Sequence, residues 1–232
     1  MAPIATRAAV TIDLTESSTR EVNALLASPD APRSLTITKP RGAHALACGL
    51  DADVDVTIDG DVGYYCAGMN QHATVTIEGN AGTGVAENMM SGTVRVTGDA
   101  SQSAGATAHG GLLVIEGNAA ARCGISMKGV DIVVGGNIGH MSAFMGQAGR
   151  LVVCGDAGET LGDSLYEARI YVRGNVASLG ADCVTKPMRD THLAELKELL
   201  HTAGLDADPT EFTRYGSARK LYNFHVDNAS AY

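Results

Sequence analysis

A nineteen-residue period runs through most of this 232-residue chain and limits the folds that it can adopt. A glycine followed by Asp or Asn recurs seven times in register, always nineteen positions apart. These anchor glycines are Gly60, Gly79, Gly98, Gly117, Gly136, Gly155 and Gly174. A fixed period of this length indicates a repeat architecture in which each unit stacks on the next.

The residues around each anchor glycine also repeat. β-Branched residues or leucine stand four and two positions before it, as Val56 and Ile58 do, and the residue between them varies. This alternation is typical of a short strand with one buried face. Small apolar residues recur two and seven positions after the glycine, as Ala81 and Ala86 do. Each repeat is therefore predicted to form one coil of a solenoid, with a strand and a Gly-Asp or Gly-Asn turn.

The predicted fold is all-β, a right-handed parallel β-helix of about seven coils with small helical flanks. Left-handed hexapeptide solenoids need periods that are multiples of six, so nineteen favours the right-handed form. Glycine tolerates a positive φ, and Asp and Asn bond their own backbone, which suits these residues to the turn. A narrow interior filled by Val, Ile and Ala agrees with a composition of seven Tyr, three Phe and no Trp.

The period divides the chain into three predicted regions. Residues 1–53 precede the regular repeats and are predicted to form a cap with a degenerate first coil. Residues 54–183 form the β-helix, and residues 184–232 form a helical C-terminal tail. Within that tail we expect a helix with Asp190 as its N-cap and Gly204 just after its end.

Charge and cysteine usage exclude several classes of partner and site. The net charge is −9, which disfavours nucleic acid and anionic membranes, since both need a basic surface. The sequence has neither an apolar run long enough to span a membrane nor an apolar leader, so we expect a cytoplasmic protein.

Five cysteines without a CxxC pair indicate no zinc or iron–sulfur site on this chain. Cys66 and Cys123 lie three coils apart, about 14 Å, too far for a disulfide.

The sequence assigns no catalytic, cofactor-binding or metal-binding residue to this chain. Histidines are scattered, and the glycine-rich segments lack the context of a nucleotide-binding loop. Methionines in the less regular half of the coils could line a partner interface or fill irregular corners. The aromatic tail could dock to a partner or pack back on the solenoid. The residues proposed for a partner interface are Met89, Met90, Met141, Met145, Tyr222 and Phe224.

The repeats resemble a known family over about residues 35–183. The segments RGAHALACGL, VGYYCAGMNQ, NMMSGTVRVTGDA and AGRLVVCGDAGETLGDSLYEARIYVRGNV are similar to the GXGXG domain. This domain closes the large subunit of glutamate synthase and also occurs in one of the subunits of formylmethanofuran dehydrogenase. Because the domain stands alone here, the chain most resembles the stand-alone middle subunit of N-methylglutamate synthase, also called methylamine–glutamate N-methyltransferase.

The resemblance implies a right-handed β-helix without catalytic residues, acting as one component of an oligomeric enzyme. One partner would resemble a class II glutamine amidotransferase, and another would be a glutamate synthase-like barrel that binds FMN and an iron–sulfur cluster. The β-helix would space the two active sites and wall the route between them. No cofactor is expected on this chain.

Two other interpretations of the same repeats remain as alternatives. The chain could serve in a glutamate synthase or formylmethanofuran dehydrogenase complex, or it could be a structural β-helix that assembles end to end. A solenoid that cleaves sugars would need a row of carboxylates on one outer strand face. The outer column before the anchors has no such row. That class is excluded.

Overall fold

The strands predicted by the period lie side by side in one parallel sheet. The structure is a computed structural model that describes residues 9–219. The repeat strands are β3 (Asp55–Asp59), β4 (Thr74–Glu78), β5 (Thr93–Val96), β6 (Leu112–Ile115), β7 (Lys128–Val134), β8 (Ala148–Val153) and β9 (Arg169–Val172). Val56 pairs with Val75 and Ile58 with Ile77, so partners are one period apart. The all-β solenoid prediction is confirmed.

Alternation within each strand builds the core. In β3, Val56 and Ile58 are buried while Asp55 and Asp59 are exposed. The small apolar column two positions after each anchor forms a second ladder of single parallel bridges, beginning Val62 to Ala81. Stacking identical positions removes both apolar columns from water, so burial is repeated in every coil.

The N-terminal flank adds two strands and a helix to the same structure. The strands are β1 (Val10–Asp13) and β2 (Ser34–Thr38), and both join the parallel sheet before β3. Between them lies α1 (Thr19–Leu26), which begins with a capping box made by Ser18 and Glu21. Its residues Val22 and Leu26 are buried against the solenoid core.

Close approach of the coils explains the anchor glycines. A Cβ atom on Gly98 would lie 2.5 Å from the Asn80 amide oxygen Oδ1 and 2.8 Å from the Gly79 carbonyl oxygen. The same Asn80 oxygen accepts a hydrogen bond from the Asp99 backbone N–H at 2.8 Å. Equivalent bonds join the Asp or Asn of each coil to its counterpart in the next. A positive φ, the reason expected from the sequence, occurs at only one of the seven anchors, Gly60.

The corner after each turn has left-handed backbone at alternate positions. Residues five, seven and nine positions after the anchor have positive φ, as Met141, Ala143 and Met145 do at 55°, 56° and 53°. A side chain in this conformation costs about 1–2 kcal/mol. Because the pattern recurs from coil to coil, it belongs to the coil itself and marks no single site.

The C-terminal flank closes the sheet and sends a helix back over it. Its elements are β10 (Cys183–Lys186), α2 (Asp190–Ala203), a short 3-10 helix (Pro209–Glu211) and β11 (Thr213–Ser217). β11 lies between β9 and β10 and is antiparallel to both. The helix ends as predicted, with Gly204 left-handed at φ 73°, but Arg189 occupies the N-cap position that was predicted for Asp190.

Candidate interaction surfaces

The methionines predicted to contact a partner separate into buried and exposed side chains. Met90 and Met145 are exposed, at 47% and 42%, and Met141 is half-buried. Met89 is fully buried in the main core, because its position in the coil points inward. Met89 is therefore a core residue and cannot contact a partner in this fold. Tyr222 and Phe224 lie outside the described residues.

Met89 and Met90 provide a matched test of this assignment. Met89→Ala leaves a cavity in the core and is expected to lower the free energy of unfolding by about 2–3 kcal/mol. Met90→Ala removes an exposed side chain and is expected to change it by less than about 0.5 kcal/mol. Urea unfolding of both variants measures the difference. Equal losses in the two variants would contradict the assignment of Met89 to the core.

Exposed apolar side chains form two similar pairs on one edge of the solenoid, which we call the apolar ridge: Met69 with Met90, and Met145 with Tyr166. In the first pair, the Met90 N–H donates to the Asn70 carbonyl at 2.7 Å. In the second, the Tyr166 N–H donates to the Gly146 carbonyl at 2.9 Å. Each pair thus joins neighbouring coils in the same way. The four side chains are 38–47% exposed.

The outer face of the sheet is covered by α2 over β6 to β9. The middle residues of these strands, all fully buried, are Val114, Val133, Val152 and Tyr171. They pack against Leu196, Leu199, Leu200, Ala203 and Phe212 in a second hydrophobic cluster. The same strand position holds Thr57 and Thr76 in coils that α2 leaves uncovered, and Arg95 in the coil at the C-terminal end of α2. This change from polar to apolar residues is a sequence signal for the covering helix, although the sequence-based prediction did not use it.

Charged side chains fix both ends of α2 on the sheet. Arg95 donates to the Ala203 carbonyl at 2.8 Å, which satisfies a carbonyl at the helix C-terminus and places a positive charge there. Toward the other end, Arg169 forms an ion pair with Glu195 at 2.5 Å. Ion pairs at this exposure contribute little energy, so the apolar cluster supplies most of the attachment.

A polar groove of about 420 Å³ lies beside α2. Its charged lining includes Arg150, Asp131, Glu195 and Glu198. Arg150 donates two hydrogen bonds to the Asp131 carboxylate, and these bonds raise the pKa of Arg150. The groove therefore has a paired arginine and two further carboxylates.

Two buried polar atoms lie beneath the N-terminal half of α2. Tyr171 and Arg214 are direct partners across β9 and β11. The Tyr171 hydroxyl and the Arg214 Nε have no hydrogen-bond partner within residues 9–219. Burial raises the pKa of Tyr171, so the phenol stays neutral. Buried polar atoms without partners cost free energy, so these two groups oppose the apolar packing of α2.

The cysteines are free thiols, and four of the five are buried. Burial raises the pKa of Cys123 to about 12 and that of Cys183 to about 11, which makes both poor nucleophiles.

Residues 9–219 contain no group of three or more His, Cys, Asp or Glu side chains able to hold a metal ion. Among the helices of this part of the chain, none is long and apolar enough to cross a membrane.

Comparison with known proteins places the chain in a family. No protein-family model matches it. The chain is 64% identical over 227 residues to Protein GlxC of Rhizobium meliloti (strain 1021). The similarity covers 95% of this chain and 99% of that protein, so it includes the flanks as well as the coils. The chain belongs to the GlxC protein family.

Proposed function

We propose that this GlxC-family chain is a non-catalytic subunit of a glutamate synthase-type complex, and specifically of N-methylglutamate synthase. It would link a class II amidotransferase-like subunit to a partner that carries FMN and an iron–sulfur cluster, and wall the route between their active sites. The near full-length relationship to GlxC supports the glutamate synthase-type assignment. The resemblance of the repeats to the GXGXG domain favours the more specific assignment to N-methylglutamate synthase.

The packing of the coils favours a route along the outside of the rod. Core side chains such as Leu113, Met127 and Ile132 are fully buried and pack in one continuous cluster. Protein interiors packed in this way leave few voids larger than a water molecule. The solenoid would therefore contribute an outer face as a wall, with its length setting the distance between partners.

The C-terminal end of the sheet favours a mixed complex over end-to-end assembly. β9 is the last strand of the parallel stack, because β11 pairs with it in antiparallel orientation and β10 pairs with the far side of β11. A second copy could not continue the parallel stack on this end without displacing them. Covering the edge of a sheet in this way is a common protection against self-association.

Of the methionines predicted at an interface, Met90 is best placed to contact a partner subunit. Its side chain is 47% exposed, and Met69, its neighbour on the apolar ridge, is 46% exposed. Flexible methionine side chains adapt well to a partner surface. Burying the two together would remove apolar area from water when the complex forms.

Co-expression of this chain with the two proposed partner subunits tests the proposal. We expect one complex containing all three proteins, measured by native mass spectrometry after purification on a tag carried by this chain. Met90→Lys should weaken it at least about tenfold, the effect of roughly 1.4 kcal/mol. Thr74→Lys, at an exposed strand position away from the ridge, is the matched control. Three proteins that migrate separately would refute the proposed function.

A further inference from the structure

We propose that the outer face of β9, β11 and β10 binds a phosphate group at the N-terminal end of α2. Tyr171, Arg214 and Lys186, which we call the donor row, would donate hydrogen bonds to its oxygens. The inference does not rest on the proposed function, because it concerns only side chains of this chain and the ligand that fits them.

Antiparallel pairing places the donor row on one face of the sheet. Tyr171 in β9 is the direct partner of Arg214 in β11, and Arg214 is the direct partner of Lys186 in β10. Direct partners in an antiparallel pair point to the same face, with their Cα atoms about 5 Å apart. Tyr171 packs in the cluster beneath α2, so Arg214 and Lys186 also belong to the face that α2 covers.

Gly216 leaves space beside the donor row. It lies two positions after Arg214 in β11 and therefore on the same face. Arg169 lies two positions before Tyr171, and because β9 and β11 are antiparallel, both steps run in the same direction. A Cβ atom on Gly216 would meet only side-chain atoms of Lys186, at 3.4 and 3.6 Å. The missing side chain therefore leaves a gap among Arg169, Arg214 and Lys186.

Two donors of the row are buried without an acceptor. The Tyr171 side chain is fully buried, and neither its hydroxyl nor the Arg214 Nε has a hydrogen-bond partner in the part of the chain that the structure describes. The Arg214 guanidinium also donates to the Pro187 carbonyl, at 3.3 Å, which holds it beside the start of α2. Buried polar groups are nearly always satisfied, so two adjacent donors without acceptors indicate a bound oxygen. Phosphate oxygens suit the planar donor geometry of arginine.

The charge around the gap matches a dianion. Arg169, Arg214 and Lys186 are positive, and the Glu195 carboxylate is paired with Arg169 at 2.5 Å. Two positive charges therefore remain at this place, in a chain whose net charge is −9. A phosphate group carries a charge of about −1.5 to −2 at pH 7, so it would neutralise them.

The start of α2 contributes further donors. Its N-cap residue is Arg189, whose side chain has no acceptor for the free N–H groups of the first turn. The Arg189 N–H donates to the His192 Nδ1 at 3.2 Å, which leaves the ring proton on Nε2. Partial burial, and next the positive charge of Arg214, lower the pKa of His192, so its ring is neutral at pH 7. A helix N-terminus also favours a bound anion.

Titration calorimetry of the full chain with inorganic phosphate tests the site, with the ionic strength held constant by chloride. We expect saturable binding of one phosphate per chain. Tyr171→Phe removes one hydroxyl and should weaken binding at least about threefold, and Arg214→Met should weaken it at least about tenfold. Phenyl phosphate distinguishes a phosphate ester from the free ion. Binding of either supports the site, and the tighter of the two identifies the source.

Arg122→Met is the matched control. Arg122 is an exposed arginine at a coil corner, so this variant removes the same charge away from the donor row. We expect its affinity for phosphate to change by less than about twofold. Tyr171→Phe supplies a second measurement, because it also removes a buried hydroxyl without a partner. Without phosphate its urea midpoint should equal or exceed that of the natural chain, whereas its gain on adding phosphate should be smaller.

Three outcomes would overturn the inference. Absence of saturable binding at millimolar phosphate would show that water satisfies the two donors. Affinity that survives both Tyr171→Phe and Arg214→Met would place the phosphate elsewhere on the chain. Equal losses in Arg122→Met and Arg214→Met would reduce the effect to overall charge. Saturable binding that both donor-row variants weaken and Arg122→Met does not weaken supports the site.

Discussion

Gly98→Ala is expected to lower the free energy of unfolding by about 2–4 kcal/mol. The new Cβ would lie 2.5 Å from the Asn80 amide oxygen and 2.8 Å from the Gly79 carbonyl oxygen, so the two coils must separate locally. Overpacking of this kind costs about 1–3 kcal/mol. Loss of the bond from the Asp99 N–H to Asn80 adds about 1 kcal/mol.

Gly216→Ala is the matched control for this prediction. Gly216 lies in β11, where an added Cβ would be 3.4 Å from its nearest neighbour, the flexible side chain of Lys186. Its φ is not in the left-handed region, so alanine fits the backbone. We expect a change of less than about 0.5 kcal/mol in urea unfolding. Similar losses at Gly98 and Gly216 would show that close approach of the coils does not explain the anchor glycines.

Val133→Asp is expected to release α2 from the sheet and to cost about 3–5 kcal/mol, the usual penalty for an unpaired buried charge. Val133 is fully buried in the second hydrophobic cluster, between the sheet and the helix. Apart from the Tyr171 hydroxyl, the side chains packed in that cluster are apolar, so a new carboxylate there would lose its hydration. Detachment of α2 would expose the new carboxylate to water without unfolding the coils, so α2 is the element that we expect to leave.

Hydrogen exchange of the α2 amides measures this release, since undocked elements lose protection while the rest of a structure keeps it. Thr76→Asp is the control, because Thr76 has the same position in its strand and α2 does not cover it. For Thr76→Asp we expect the free energy of unfolding to change by less than about 1 kcal/mol and the α2 amides to keep their protection from exchange. Full protection of α2 in Val133→Asp would refute the assigned packing.

The nineteen-residue period predicted the strands and the pairing of the solenoid correctly. Val56 pairs with Val75 because the two residues hold the same position in neighbouring coils, and identical positions stack in a repeat. The period could not explain why the anchor positions require glycine. Local turn chemistry predicted a positive φ, whereas a Cβ on Gly98 is excluded by the coil before it.

Surface residues were harder to assign than the coil itself. Met89 and Met90 are adjacent and chemically identical, and both were predicted at an interface. One is buried and the other is exposed, because successive residues at this corner point in opposite directions. The middle strand position was likewise expected to vary freely, although Val133 there packs beneath α2.

By itself, the sequence determined the coil, the number of regular repeats and the columns that form the main core. It could do so because each of these depends on residues one period apart. Only the tertiary structure decided that α2 folds back over the sheet and that β11 inserts between β9 and β10. The contact from Arg95 to Ala203 joins residues 108 positions apart, and no period relates them. Such contacts are selected by the shape and polarity of an already folded surface.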